Sequence, residues 1–199
     1  MNLFPLTAFA GKRKVAAGNL HAVAQTLKEL VTHEPDAQIL IFNDDNGQQV
    51  DLNLHGSLAE VLQRLPRAPV AVEEAVAPVT PVAPRTAGRP KLGVVAREIT
   101  LLPRHWEWLA TQPGGASVAL RKLVEHAQRD NKALDEQRQA RETAYRVMSA
   151  LAGDEAGFEE ASRALFAGQR DAFMAQAQTW PADVREHVLR LAQAAWSNG

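Results

Sequence analysis

An α+β fold is predicted for this chain by three observations. Residues 6–65 hold short apolar runs with turn signals between them and two capped helical stretches. Residues 66–92 are dense in Pro, Ala and Val and have no helical period. After residue 93, one strand-like alternation is followed only by helical patterns. The chain therefore divides into an α+β N-terminal domain (1–65), a linker with a basic end (66–92), a strand-helix-helix unit (93–130) and an all-helical C-terminal region (131–199).

The N-terminal domain is expected to run β-β-α-β-β-α. Thr7 to Ala10 and Lys14 to Ala17 read as strands around a tight turn at Gly11-Lys12. Asn19 is a natural cap for the next helix, where Leu20, Val23, Leu27, Leu30 and Val31 recur at helical spacing. The run QILIF (38–42) has the density of a buried strand, and NDDNG (43–47) is a hairpin turn signal. From Gln49 to His55, Val50, Leu52 and Leu54 alternate with polar residues, which predicts a half-buried antiparallel strand. Ser57 caps the last helix, with Glu60 at the capping-box position. The linker is expected to be extended and partly stiff.

In the C-terminal region a long helix carries Ala144, Tyr145, Met148 and Leu151 and stops at Gly153. A second holds Phe158, Ala161 and Leu165 and stops at Gly168. A third holds Phe173 and Ala177, and Pro181 opens a fourth with Val184, Val188, Leu191 and Ala195 on its apolar face. Four such helices pack into a small bundle.

The formal net charge is −1, but it is unevenly placed. Residues 85–129 hold eight Lys or Arg against three Glu, while the segments before and after are each acidic by three charges. A basic strand-helix-helix segment between acidic flanks points to nucleic acid. Within it, Val95, Arg97, Ile99 and Leu101 alternate with Ala96, Glu98 and Thr100. Pro103 opens a short helix with Trp106 and Leu109 on one face and Trp108 elsewhere; Pro113-Gly114-Gly115 ends it. Ser117 starts the next helix, with Leu120, Leu123, Val124 and Ala127 as its core face. One strand and two short helices bury too little surface to stand alone, so a second copy pairing through Val94 to Leu101 is expected.

These residues resemble the ribbon-helix-helix family. EITLLPRHWEWL (98–109) is similar to its strand-to-first-helix stretch, and SVALRKLV (117–124) to the start of its second helix. The resemblance implies a homodimer whose interface includes Val95, Ile99, Leu101 and Trp106. It also implies that Ala96, Glu98 and Thr100 face DNA bases. In the DNA-binding reading of the basic segment, Lys91, Arg97, Arg121 and Lys122 supply phosphate contacts and Thr100 a base contact. Gly88-Arg89-Pro90-Lys91 resembles the core of an AT-hook, with Ala87 in place of the hook's other arginine, so Arg89 joins the DNA-binding set. The wider chain resembles a bacterial family known as domain of unknown function 2239. The likeness lies in TAFAGKRKVAAG (7–18), residues 88–125, YRVMSALAG (145–153), FEEASRALFAG (158–168) and WPADVREHVLRLA (180–192). That family implies no activity.

Other chemistry is weaker. With no cysteine, disulfides, thiol nucleophiles and Cys-ligated metals are excluded. The His residues lack HxxH or HExxH spacing, and Gly11-Lys12-Arg13-Lys14 lacks the phosphate-loop pattern, so no metal or small-molecule cofactor is expected. Asp44, Asp45 and Asn46 read as a turn, and Asp51 with His55 as the polar face of a strand. No run reaches the roughly 20 apolar residues that span a bilayer, and the N-terminus lacks signal-peptide order. The reading is a cytoplasmic, non-enzymatic, DNA-binding regulatory protein, with DNA as its expected partner and no membrane association. The alternative is a protein-interaction adaptor whose strand and tryptophans form a subunit or partner interface.

Overall fold

A computed structural model describes residues 5–66, 95 and 97–196. The chain forms two units, one of Met1–Val70 with Lys132–Gly199, the other of Ala71–Asn131. The fold class is α+β, as the sequence predicts. Most of the linker (67–92), with Arg89 and Lys91, lies outside the described residues.

In the first unit, β1 (Leu6–Ala10), β2 (Arg13–Gly18) and β3 (Ile39–Asn43) form an antiparallel sheet in the order β2-β1-β3. Ala8 opposes Ala16 and Ile41, with a register irregularity between Ala8 and Phe9 on the β2 side. The period of two divides the sheet into two faces. Leu6, Ala8 and Ile41 cluster with Leu20, Val23 and Leu27 of α1 (Leu20–His33). Phe9 and Phe42, of opposite parity, enter a second core built from the C-terminal helices. β1 and β3 are thus covered on both faces, while the edge strand β2 is largely exposed.

That second core draws on α4 (Gly115–Ala152), through Ala144, Val147, Met148 and Leu151. It adds α5 (Phe158–Phe166), α6 (Arg170–Gln176) with its 3₁₀ continuation Ala177–Thr179, α7 (Ala182–Leu191) and the 3₁₀ turn Gln193–Trp196. Trp180 Nε1–H donates to Ala156 O at 3.1 Å, fixing the turn between α6 and α7. The sequence-based division separates 1–65 from 131–199; in the structure these segments share one core. The physical reason lies in LTAFA and ILIFN, whose apolar residues fall on both faces of the sheet and so need cover on both.

Caps form where the sequence places them. The Asn19 side chain accepts from Ala22 N–H at 2.9 Å. At α2 (Leu58–Arg64), Ser57 and Glu60 complete a capping box. The backbone and hydroxyl of Ser57, both donating to the Glu60 carboxylate, hold its pKa below the usual value. The 43–47 turn also forms, with Gly47 at φ +70°. A Cβ there would lie 2.6 Å from Thr143 O, so the turn seats on α4 only as glycine.

The fourth strand expected at Gln49–His55 is corrected to a single bridge, Phe42 with Gln49. Pairing ends after Val50 N–H donates to Ile41 O at 2.9 Å. The expected alternation persists, with Leu52 and Leu54 packing on the α1 cluster while Asp51, Asn53 and His55 are exposed. Side chains take the carbonyls instead of a neighbouring strand. Lys28 Nζ donates to Leu54 O at 3.1 Å, and Arg64 donates to Asn53 O and His55 O.

In the central unit, α3 (Pro103–Ala110) opens on Pro103 as predicted. The second helix starts two residues earlier than Ser117, at Gly115, and does not end near 130. It continues as α4 for 38 residues. No Pro or Gly interrupts residues 116–152, so the weak helix formers Asp130 and Asn131 cost only tenths of a kcal/mol, roughly. The strand expected over Val94 to Leu101 is absent among the described residues: Val95 and 97–102 have no regular structure. A strand needs a neighbour for its N–H and C=O groups, and no described residue of the same chain supplies one.

Candidate nucleic-acid interface

The central unit is bent at Gly114-Gly115, where φ is +84° and +74°. A Cβ on Gly114 would lie 3.1 Å from Val118 Cβ, so the left-handed turn is closed by contact as well as by conformation. Leu109 (2% exposed) and Ala119 (9%) are the buried apolar residues described in this unit. Val95, Ile99, Leu102, Trp106, Trp108, Leu123 and Val124 all stay exposed, at 42% or more.

The expected dimer residues therefore lie largely in solvent in a single chain: Val95, Ile99 and Trp106 are exposed and Leu101 is half-buried. The expected DNA-facing residues Arg97, Thr100, Arg121 and Lys122 are exposed too, as is Arg104, which the sequence reading passed over. Arg121 Nε–H donates to Ser117 O at 3.1 Å, which aligns its guanidinium along the first turn of α4. Among the described residues, none of Arg97, Arg104, Arg121 or Lys122 is in an ion pair.

The two tryptophans of α3 have different surroundings. At about 100° per residue, Trp106 lies about 40° from Leu102 and about 60° from Leu109, on the apolar stripe. Trp108 lies about 160° from Trp106 and only about 40° from Arg104. Neither ring touches another aromatic ring among the described residues.

A partly buried polar cluster lies in the first unit, with Thr7 and His187 buried and Arg190 exposed. Asp44 Oδ2 accepts from Thr7 Oγ1 at 3.0 Å and from Arg190 Nη2 at 2.6 Å. Its Oδ1 lies 3.6 Å from His187 Nε2, while Arg190 Nη2 is 3.0 Å from His187 Nδ1. A guanidinium only donates, so Nδ1 accepts and the ring proton is assigned to Nε2, facing Asp44. His187 is 3% exposed, and burial lowers its pKa from 6.5 to about 4. Within that shift Asp44 acts to raise the pKa, while Arg190 and Lys14 act with burial to lower it. The cluster ties the turn after β3 to α7. It includes no Ser, Cys or Lys nucleophile, and Thr7 is 1% exposed.

Beside this cluster, an open groove of about 580 Å³ is lined by Asp44, Asp45, Asp135, Glu136, Arg138 and Thr143, among others. Arg138 is paired with Asp135 at 2.7 Å, so the lining is partly self-neutralised. Among the described residues, no group of three or more His, Asp or Glu is placed to hold a metal. Asp51 and His55 are both exposed. The sequence reading missed His187, although a histidine among Val184, Val188 and Leu191 on an apolar helix face is a signal of a buried polar contact.

No helix among the described residues is long and apolar enough to cross a membrane. The family model for domain of unknown function 2239, described as an uncharacterised protein conserved in bacteria, matches residues 5–192. No curated protein and no solved structure matches the chain.

Proposed function

The chain belongs to the bacterial domain of unknown function 2239 family, and from its central unit we propose a DNA-binding regulatory protein that acts as a homodimer in the cytoplasm. The observation that carries the reading is a coincidence on one short segment. Residues 95–124 leave seven large apolar side chains exposed, and the same segment holds Arg97, Arg104, Arg121 and Lys122 free of ion pairs among the described residues. A second copy accounts for the apolar residues. It would also supply the hydrogen-bonding neighbour that residues 97–101 lack, with Val95, Ile99, Leu101 and Trp106 in the interface. Phosphate accounts for the cations. Thr100 remains available to a base edge, and Arg89 and Lys91 would extend the basic surface.

The test is fluorescence anisotropy of the full chain with a duplex at graded salt. About four phosphates neutralised per protomer give a log–log slope of about −3.6 per protomer, or roughly a hundredfold loss between 50 and 200 mM salt. No binding at low salt ends this reading. The second reading, a protein-partner adaptor, is favoured by the exposure of Trp106 and Trp108 together. Arg121→Glu with Lys122→Glu separates the two: the DNA reading requires lost DNA binding with association unchanged.

A further inference from the structure

We propose that Trp108 is a stacking platform for an unpaired nucleobase, with Arg104 holding an adjacent phosphate, so that the protein engages a single-stranded or locally opened stretch as well as duplex. This deepens the DNA-binding reading and rests on it. Trp108 is 50% exposed on an eight-residue helix, against 2% for the next residue, Leu109. Its helical neighbours one turn back are Arg104 and His105, both exposed. The apolar stripe of Leu102, Trp106 and Leu109 lies on the other side of α3. A protein partner that sought apolar area would seat on that stripe. The surroundings of Trp108 instead suit a ligand with a flat π face and a negative charge about one helical turn away. Nucleotides have both, and their bases stack on an indole regardless of sequence. In an intact duplex the base faces are already stacked on one another, so the platform takes a base from an unpaired stretch.

The test uses the full chain and two fluorescein-labelled probes, an oligothymidylate and a blunt-ended duplex. The oligothymidylate is expected to quench tryptophan emission, and Trp108→Ala to weaken its binding about tenfold, within the range of one lost base stack. Trp108→Phe, which keeps an aromatic face, is expected to retain most of the affinity while losing most of the quenching. Arg104→Gln is expected to weaken binding and flatten the salt dependence. Duplex affinity is expected to be nearly unchanged in Trp108→Ala. If the duplex binds but Trp108→Ala leaves oligothymidylate affinity intact, or lowers both affinities equally, the stacking role is wrong while DNA binding stands. If neither probe binds at low salt, both readings fall.

Discussion

Phe9 and Trp106 are both aromatic residues on short elements, and their fates differ. Phe9 is fully buried, its ring 6.4 Å from Phe42 and 5.2 Å from His187. Trp106 is 42% exposed and touches no other aromatic ring among the described residues. The first unit buries most of its large apolar residues within the chain by folding helices onto the second face of a small sheet, with Leu134, Tyr145, Phe166 and Met174 left exposed. Among the described residues of the central unit, Leu109 and Ala119 are the buried apolar ones, and seven large apolar side chains are exposed. The described buried core and the exposed apolar residues of 95–124 thus lie in different parts of the chain.

The largest expected effect breaks this contrast from the first unit's side. Phe9→Ala removes a fully buried ring where sheet and C-terminal helices meet, and is expected to cost about 3–5 kcal/mol. Denaturant unfolding would measure it, with segments 5–66 and 132–196 lost in one transition. Loss of the sheet while the C-terminal helices persist would show that the two segments do not share a core.

The next effect sharpens the contrast through pH. His187 is held neutral in the folded chain, with its pKa lowered to about 4. The unfolded chain binds that proton near pH 6.5, so the unfolded state gains protons first as pH falls. The stabilisation is fully present above 6.5 and is lost between 6.5 and about 4, to a total of about 3 kcal/mol. By pH 5 the loss is about 2 kcal/mol. Urea midpoints at pH 7 and pH 5 would show this, and His187→Gln is expected to remove most of the difference. An unchanged slope in His187→Gln would place the acid sensitivity elsewhere.

Local features were legible in the sequence because their causes are local. The Asn19 and Ser57 caps, the turns at Gly11 and Gly47, and the helix stops at Gly153 and Gly168 each depend on a few adjacent residues. The union of the two ends of the chain was harder to read, because nothing in LTAFA says what covers its second face. Its continuous apolar character does signal that something must. The Asp44–His187–Arg190 cluster joins residues 146 apart, and no spacing rule reaches that far. The Gln49–His55 alternation was read correctly as a half-buried pattern and wrongly as a strand, because burial sets the alternation and Lys28 and Arg64 set the hydrogen bonding. The Val94 to Leu101 alternation is of the other kind. Its apolar residues are present, but the described residues of one chain offer them no partner.

The smallest expected effect on folding tests that last point. Leu123 and Val124 are 47% and 54% exposed on α4. Replacing both with Ser is expected to change single-chain stability by less than about 0.5 kcal/mol, because neither leaves a cavity. If their face belongs to a subunit interface, the same double variant moves the association midpoint to higher protein concentration, as light scattering over a dilution series would record. Duplex affinity would fall with it, since two linked sites bind DNA more tightly than one. A large drop in thermal stability at concentrations where the parent chain is monomeric would mean that these residues belong to an intramolecular core, and the contrast between the two units would disappear. A parent chain that stays monomeric throughout, with duplex affinity untouched by the substitutions, would remove the second copy from the proposal and leave the exposed face to a different protein.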